Sequence, residues 1–256
     1  MTEARPEPDR RPSPPDLLEH GAPKAGVPQT LDARLFVQLQ VFTGCSDAAA
    51  LVDPIRRSGL DAVLYADAND PRGVGLLAMS PDPEVFTGPA RALLAHPPFD
   101  RLTHRPDLTM LGRTYAIGRE ADLADFLLKR TLRNALNPKH RWAIWYPLRR
   151  IGAFNRLSRD EQGKMMLEHA MIGRSYGEAG HAHDIRLECH GLDRDDNEFV
   201  IGLVSATLHP LSRLVKDMRR TRQTSEFIEK MGPFFIGRVV WQSPMSAAAS
   251  ADEPSY

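Results

Sequence analysis

The chain has 256 residues, 42% of them hydrophobic, with 33 basic and 33 acidic side chains. That supplies a sizeable core, while the zero net charge excludes the overall electrostatic attraction that draws in a general nucleic-acid or acidic-membrane binder. Two cysteines, Cys45 and Cys189, with no CxxC spacing, exclude a disulfide framework and a cysteine zinc site.

Residues 1–30 hold seven prolines and mixed charges with little apolar periodicity, a composition that predicts a disordered tail. They lack the apolar stretch of a signal peptide, and no run reaches the roughly 18 apolar residues of a membrane span, so a cytoplasmic protein with no membrane span is expected. LFVQLQVF (35–42) alternates Val37, Leu39 and Val41 with Gln38 and Gln40, a half-buried strand. Ser46-Asp47 then opens a short helix that contains Pro54 and ends near Gly59. DAVLYAD (61–67), the turn NDPRG and GVGLLAMS (73–80) read as a hairpin. A helical stretch PEVFTGPARALLAH and a strand around 108–115 complete a first unit, 31–118.

A linking helix is expected within 119–139, and the order then repeats over 140–243. RWAIWYPL is a strand, residues 158–174 a long helix opened by the capping box Ser158-Arg-Asp-Glu161, IRLECHG and EFVIGLVSA a strand pair, 209–220 a helix, and FFIGRVVWQ a last strand. The end, 244–256, reads as a second flexible tail. The fold class predicted is α+β: two ferredoxin-like repeats, each a four-stranded antiparallel sheet with helices on one face, packed into a barrel.

Unusual residues gather in the second unit. His169 sits on the apolar face of its helix with Met165, Met166 and Ile172. A buried imidazole without a partner costs about 1–3 kcal/mol, so His169 is either hydrogen-bonded in the core or bound to something entering it. The aromatic strand at 142–146 runs into Arg149 and Arg150, which suits a flat ligand with an anionic edge as well as it suits core and solvated surface. His181 and His183 form an HxH that a strand would present on one face, a metal-site spacing for which no third ligand is identified. No GxSxG, P-loop or strand-borne GxGxxG is present.

WYPLRR (145–150), EHAMIGRSY (168–176), GLDRDDNEFVIGL (191–203), LVKDMR (214–219) and GPFFIGR (232–238) resemble the chlorite dismutase superfamily, most of all its coproheme decarboxylases. The resemblance spans roughly 140–240 and extends to the first unit only in architecture. It implies a dimeric α+β barrel that assembles as a homopentamer, a haem-free first repeat and a haem-binding second one. It also implies a cofactor that is haem b or iron coproporphyrin III, with His169 as the iron ligand. The activity implied is peroxide-dependent decarboxylation of coproheme to haem b in haem biosynthesis, with Tyr146 as the radical residue. The alternatives are another peroxidase or chlorite-degrading haem enzyme and a non-enzymatic haem-binding protein. Leu148 falls against the porphyrin, and Arg133 and Arg174 match arginines that hold propionates. Arg149 joins them on charge and proximity alone. The distal arginine of chlorite dismutases aligns with Asp184 or Ala182, depending on the direction of counting, and Arg186 serves only if the register slips. His183, or His181, is then a candidate base for peroxide activation. The glutamate that bonds the iron-ligating histidine in chlorite dismutases falls at Gln223.

Overall fold

The computed structural model describes residues 13–245. The expected tails therefore lie outside the described residues at 1–12 and 246–256. Residues within the expected N-terminal tail instead pair as an antiparallel hairpin, β1 (Glu19–Lys24) with β2 (Val27–Leu31). The prolines that lowered the expectation, Pro23 and Pro28, sit in this small two-stranded sheet, outside the main one.

The first repeat contains β3 (Phe36–Thr43), α1 (Val52–Ser58), β4 (Asp61–Asp67), β5 (Val74–Ser80), α2 (Glu84–Thr87), α3 (Pro89–Leu94), the two-residue β6 (Thr103–His104) and β7 (Met110–Arg113). In β3 the alternation buries Val37, Leu39 and Val41 as predicted, and α1 ends at Gly59, whose φ of 71° is the left-handed cap a glycine adopts without strain. Every residue of β5 is buried, because both of its faces are covered.

The link is shorter than expected. A π-helical turn at Asp125–Lys129 runs directly into α4 (Arg130–Ala135). The second repeat follows as β8 (Trp142–Arg150), α5 (Arg159–Glu178), β9 (His183–Glu188), β10 (Phe199–Ser205), α6 (Leu208–Met218), α7 (Arg222–Phe227), β11 (Ile228–Met231) and β12 (Phe235–Gln242). The capping box at Ser158 and Glu161 is formed, and α5 continues four residues beyond the predicted end. Two short elements, α7 and β11, were not anticipated.

The strands run β10-β9-β7-β3-β5-β4-β12-β8, and β8 pairs in turn with β10, so four strands from each repeat close one antiparallel barrel. The interior is filled by Val37, Leu39, Val63, Leu77, Trp145, Leu187 and Phe235 among others. Trp145 faces Gly202 across the β8–β10 pairing, and a Cβ at Gly202 would come within 2.5 Å of the indole, so only glycine admits this ring. The two seams between repeats differ. β4 and β12 are in register at five positions, whereas β7 meets β9 only at Arg113 and Glu188, reinforced by their 3.0 Å ion pair.

Outside the barrel, the first repeat's helices cover Phe42, Leu51, Ile55, Leu64 and Phe99. On the second repeat, α5 and α6 cover a different cluster, in which Ile144, Tyr146 and Leu203 from the sheet meet Ile172, Tyr176 and Leu214 from the helices.

Candidate functional site

The site lies on that second cluster. Strand alternation turns Ala143 and Trp145 of β8 into the barrel and Ile144, Tyr146 and Leu148 toward the helices. The same parity in β9 buries Ile185 and Leu187 inside and turns Asp184 and Arg186 outward. Because the strands are in register, Arg186, Ile201 and Tyr146 form one row across β9, β10 and β8, and Asp184, Leu203 and Ile144 form the next. Arg186 thus shares the face of Asp184, one strand repeat along β9 from it.

His169 approaches from α5, half-buried. Its Nδ1 lies 3.4 Å from the Thr221 hydroxyl, which donates its own proton to the Met218 carbonyl at 2.8 Å. Thr221 therefore accepts from Nδ1–H, and this assignment leaves a lone pair on Nε2. Nε2 has no hydrogen-bond partner among the described residues. Thr221 also caps α7, and Glu168 accepts from the Arg222 amide at 3.1 Å, so the short helix missed in the sequence fixes the imidazole. Gln223, the residue counting placed beside His169, is buried with its Oε1 unpaired, and the observed partner of Nδ1 is Thr221.

Burial lowers the His169 pKa, and the nearby positive charge of Arg186 lowers it further. The ring is accordingly neutral at neutral pH, the form in which an imidazole ligates a metal. Asp184 is held by Arg130 of α4 and by Arg186, each at 2.9 Å. Burial pushes its carboxyl up, but the two guanidiniums outweigh burial and hold it below the usual range. Tyr146 is buried, stacked on Phe234 with ring centroids 4.6 Å apart. Its phenol is pushed well above 10 by burial and then by the Asp184 charge, so it stays protonated.

Leu148 packs against the same cluster. The other expected residues are placed elsewhere. Arg149 has the parity of Pro147 and bonds Glu229 at 3.1 Å, whereas Arg150 has the parity of Tyr146. Arg150 pairs with Glu198 at 3.0 Å, its guanidinium 4.3 Å over Phe154 and 4.7 Å over Phe199. Arg133 makes a two-pronged pair with Asp125, and Arg130, one turn earlier, is the α4 arginine that reaches the site. Arg174 is exposed, about 140° around α5 from His169 at 3.6 residues per turn.

The HxH does not converge. His181 precedes β9 and lies against Tyr176, while His183 turns toward the interior side and packs on His140, ring centroids 4.9 Å apart. The structure thus separates His183 from His169, and Ala182 is buried in the cluster below Tyr146. No group of three metal-ligating side chains occurs among the described residues. The site offers one imidazole beside an apolar cluster, a donor set suited to a metal held mainly by another molecule.

A family model described as chlorite dismutase matches residues 110–240, just over half of the chain. Among solved structures, a novel heme-binding protein from Thermus thermophilus is 19% identical, with a TM-score of 0.64 over 81% of this chain and 91% of that one. A tryptophan-to-phenylalanine variant of chlorite dismutase from Candidatus Nitrospira defluvii in complex with cyanide is 15% identical, with a TM-score of 0.63 over 84% and 93%.

Proposed function

Because the chain belongs to the chlorite dismutase family, we propose that it is a haem-dependent oxidoreductase that decarboxylates iron coproporphyrin III to haem b at the expense of hydrogen peroxide. The observation that carries this is a half-buried His169 engaged through Nδ1 by Thr221 and close to Arg186 and Asp184, over a sheet surface on which Tyr146 and Arg186 share one row. The residues present fit a metalloporphyrin. The neutral imidazole of His169 would supply a nitrogen ligand to the iron, Ile144, Leu148, Ile201, Leu203 and Ile172 would supply apolar walls, and Arg150 and Arg186 would supply cations for carboxylates.

When bound, the porphyrin iron supplies the oxidising power taken from peroxide. The rest falls to side chains. Thr221 fixes the His169 tautomer and ring plane. Tyr146, protonated and shielded, would give a hydrogen atom to the oxidant derived from peroxide and recover one from the substrate propionate. That oxidant takes the second electron as the carboxyl leaves as carbon dioxide and a vinyl forms, the peroxide ending as two waters. Asp184 holds Arg186 in place, leaving other guanidinium donors to orient an oxygen atom. In this reading Arg133, Arg149 and Arg174 act at most on substrate carboxylates at the margin, and His183 leaves the catalytic set. The homopentamer and the cytoplasmic location remain part of the proposal. No helix among the described residues is long and apolar enough to cross a membrane.

Arg186 favours a second reading, a haem b enzyme of peroxidase or chlorite-degrading type, since a guanidinium on the site face does not require coproheme. Titrating the coproheme-loaded protein with hydrogen peroxide separates the two. Successive loss of two carboxyl groups, followed by mass spectrometry of the pigment, is expected for the decarboxylase. Retention of haem b with no conversion of coproheme would select the second reading.

A further inference from the structure

Beside Arg186 is a cleft of about 10 Å³, lined by Tyr115, Ile117, Glu120, Phe126 and Arg186 itself. This is the space of roughly one water molecule. Arg186 comes from β9 and Phe126 from the π-helical turn, while Tyr115, Ile117 and Glu120 belong to the segment between β7 and that turn, outside every sheet and helix. Such a segment needs outside partners to hold a fixed shape.

The β1–β2 hairpin supplies them. Glu19 accepts from the Ala116 amide at 2.8 Å and pairs with Arg113 at 3.1 Å. Gln29 works at the other end. Its Oε1 accepts from the Leu123 amide at 3.1 Å, and its Nε2 lies 3.2 and 3.0 Å from the carbonyls of Glu120 and Ala121. Ala22 donates to the Glu120 carbonyl at 3.0 Å, and Gly21 allows this approach, since a Cβ there would stand 3.0 Å from the same oxygen. Between these anchors the buried Glu120 carboxylate accepts from the Ile117 and Arg119 amides, both at 2.9 Å, which curls the segment over the cleft.

We propose that this cleft is the admission port for the small oxidant and that Gln29 is a positioning residue that sets its width. The inference rests on the proposed haem reading and extends it to a route of access. A port this narrow passes a water-sized molecule such as hydrogen peroxide past Arg186 and retards bulkier ones. The hairpin, remote from His169 in sequence, thereby governs which molecules reach the iron.

The test uses Gln29→Met and, as a variant at an exposed position, Ile117→Trp, each loaded with haemin and mixed with cyanide or imidazole. In the apo protein, hydrogen exchange of the 116–123 amides is expected to rise about tenfold in Gln29→Met. In the loaded protein, imidazole association is expected to accelerate about tenfold, with cyanide changed by less than about threefold. Ile117→Trp is expected to slow cyanide by about tenfold with the Soret band before mixing unchanged. Unchanged exchange in Gln29→Met would overturn its positioning role. Wild-type cyanide and imidazole rates in a folded Ile117→Trp protein would overturn the port. Failure of the wild-type protein to develop a Soret band would overturn the haem reading itself, and the port with it.

Discussion

Arg186 and Tyr146 stand in one row of the barrel with Ile201 between them. Adjacent strands lie about 4.8 Å apart, so a cation and a phenol address the space under α5 from one rigid surface, roughly 10 Å apart at the backbone. Geometry this rigid makes the contribution of each group separable by substitution.

Tyr146→Phe removes one oxygen from a buried ring that keeps its stacking on Phe234. Porphyrin uptake is expected to be unchanged and coproheme conversion abolished, read by the Soret band and by chromatography of the pigment. Continued haem b formation by this variant would remove Tyr146 from the chemistry.

His169→Ala is expected to eliminate the Soret band of the haemin-reconstituted protein. Thr221→Val removes the acceptor of Nδ1–H and is expected to weaken haemin binding by about tenfold, the usual scale for a lost partner of a metal-ligating histidine. Equal affinity for wild type and Thr221→Val would show that the tautomer is fixed by another group.

Asp184→Asn leaves Arg130 and Arg186 facing one another without their carboxylate. A destabilisation of about 1–3 kcal/mol at pH 7 is expected, below the full value for a broken buried pair because solvent reaches Arg130. The Asp184 carboxyl is depressed in the folded state, so its contribution is complete above the unfolded value of about 3.9 and is lost as pH falls through the folded one. Urea unfolding should therefore show wild type and Asp184→Asn drawing together as pH falls below about 3.9.

His140 and His183 are also depressed by burial, His183 further by its neighbour His140. Their neutral forms stabilise the fold above about pH 6.5, and that stability is lost as pH falls below it, because the unfolded chain takes up the protons first. Tm is expected to drop between pH 7.5 and 5.5, and His183→Phe to shallow the drop. An identical pH profile for His183→Phe would place the acid sensitivity elsewhere.

Much of this arrangement is legible in the sequence. The alternation in β3 and the capping box at Ser158 announce their elements, and the apolar neighbours of His169 mark it as a ligand candidate. The choice between Arg149 and Arg150 was legible too, since Arg150 lies four residues from Tyr146 in a strand and shares its face, while Arg149 cannot. Charge and proximity alone do not carry that distinction. Thr221 was not legible, because its role depends on a turn between two helices that brings together residues 52 positions apart. Nor was the hairpin, whose polar, proline-bearing strands are ordered by Gln29 and Glu19 gripping a distant segment rather than by burial. Arg130 emerged over Arg133 only once the start of α4 was fixed by the preceding π-helical turn.

The tight seam between β4 and β12 joins residues 61–67 to residues 235–242. On the ribosome, therefore, the first repeat is complete long before the strand that covers its edge has been made. Until then β4 presents a row of unpaired amides and carbonyls flanked by apolar side chains. An open edge of this kind invites pairing with other chains until β12 covers it, so truncation within the second repeat is expected to yield an aggregation-prone fragment.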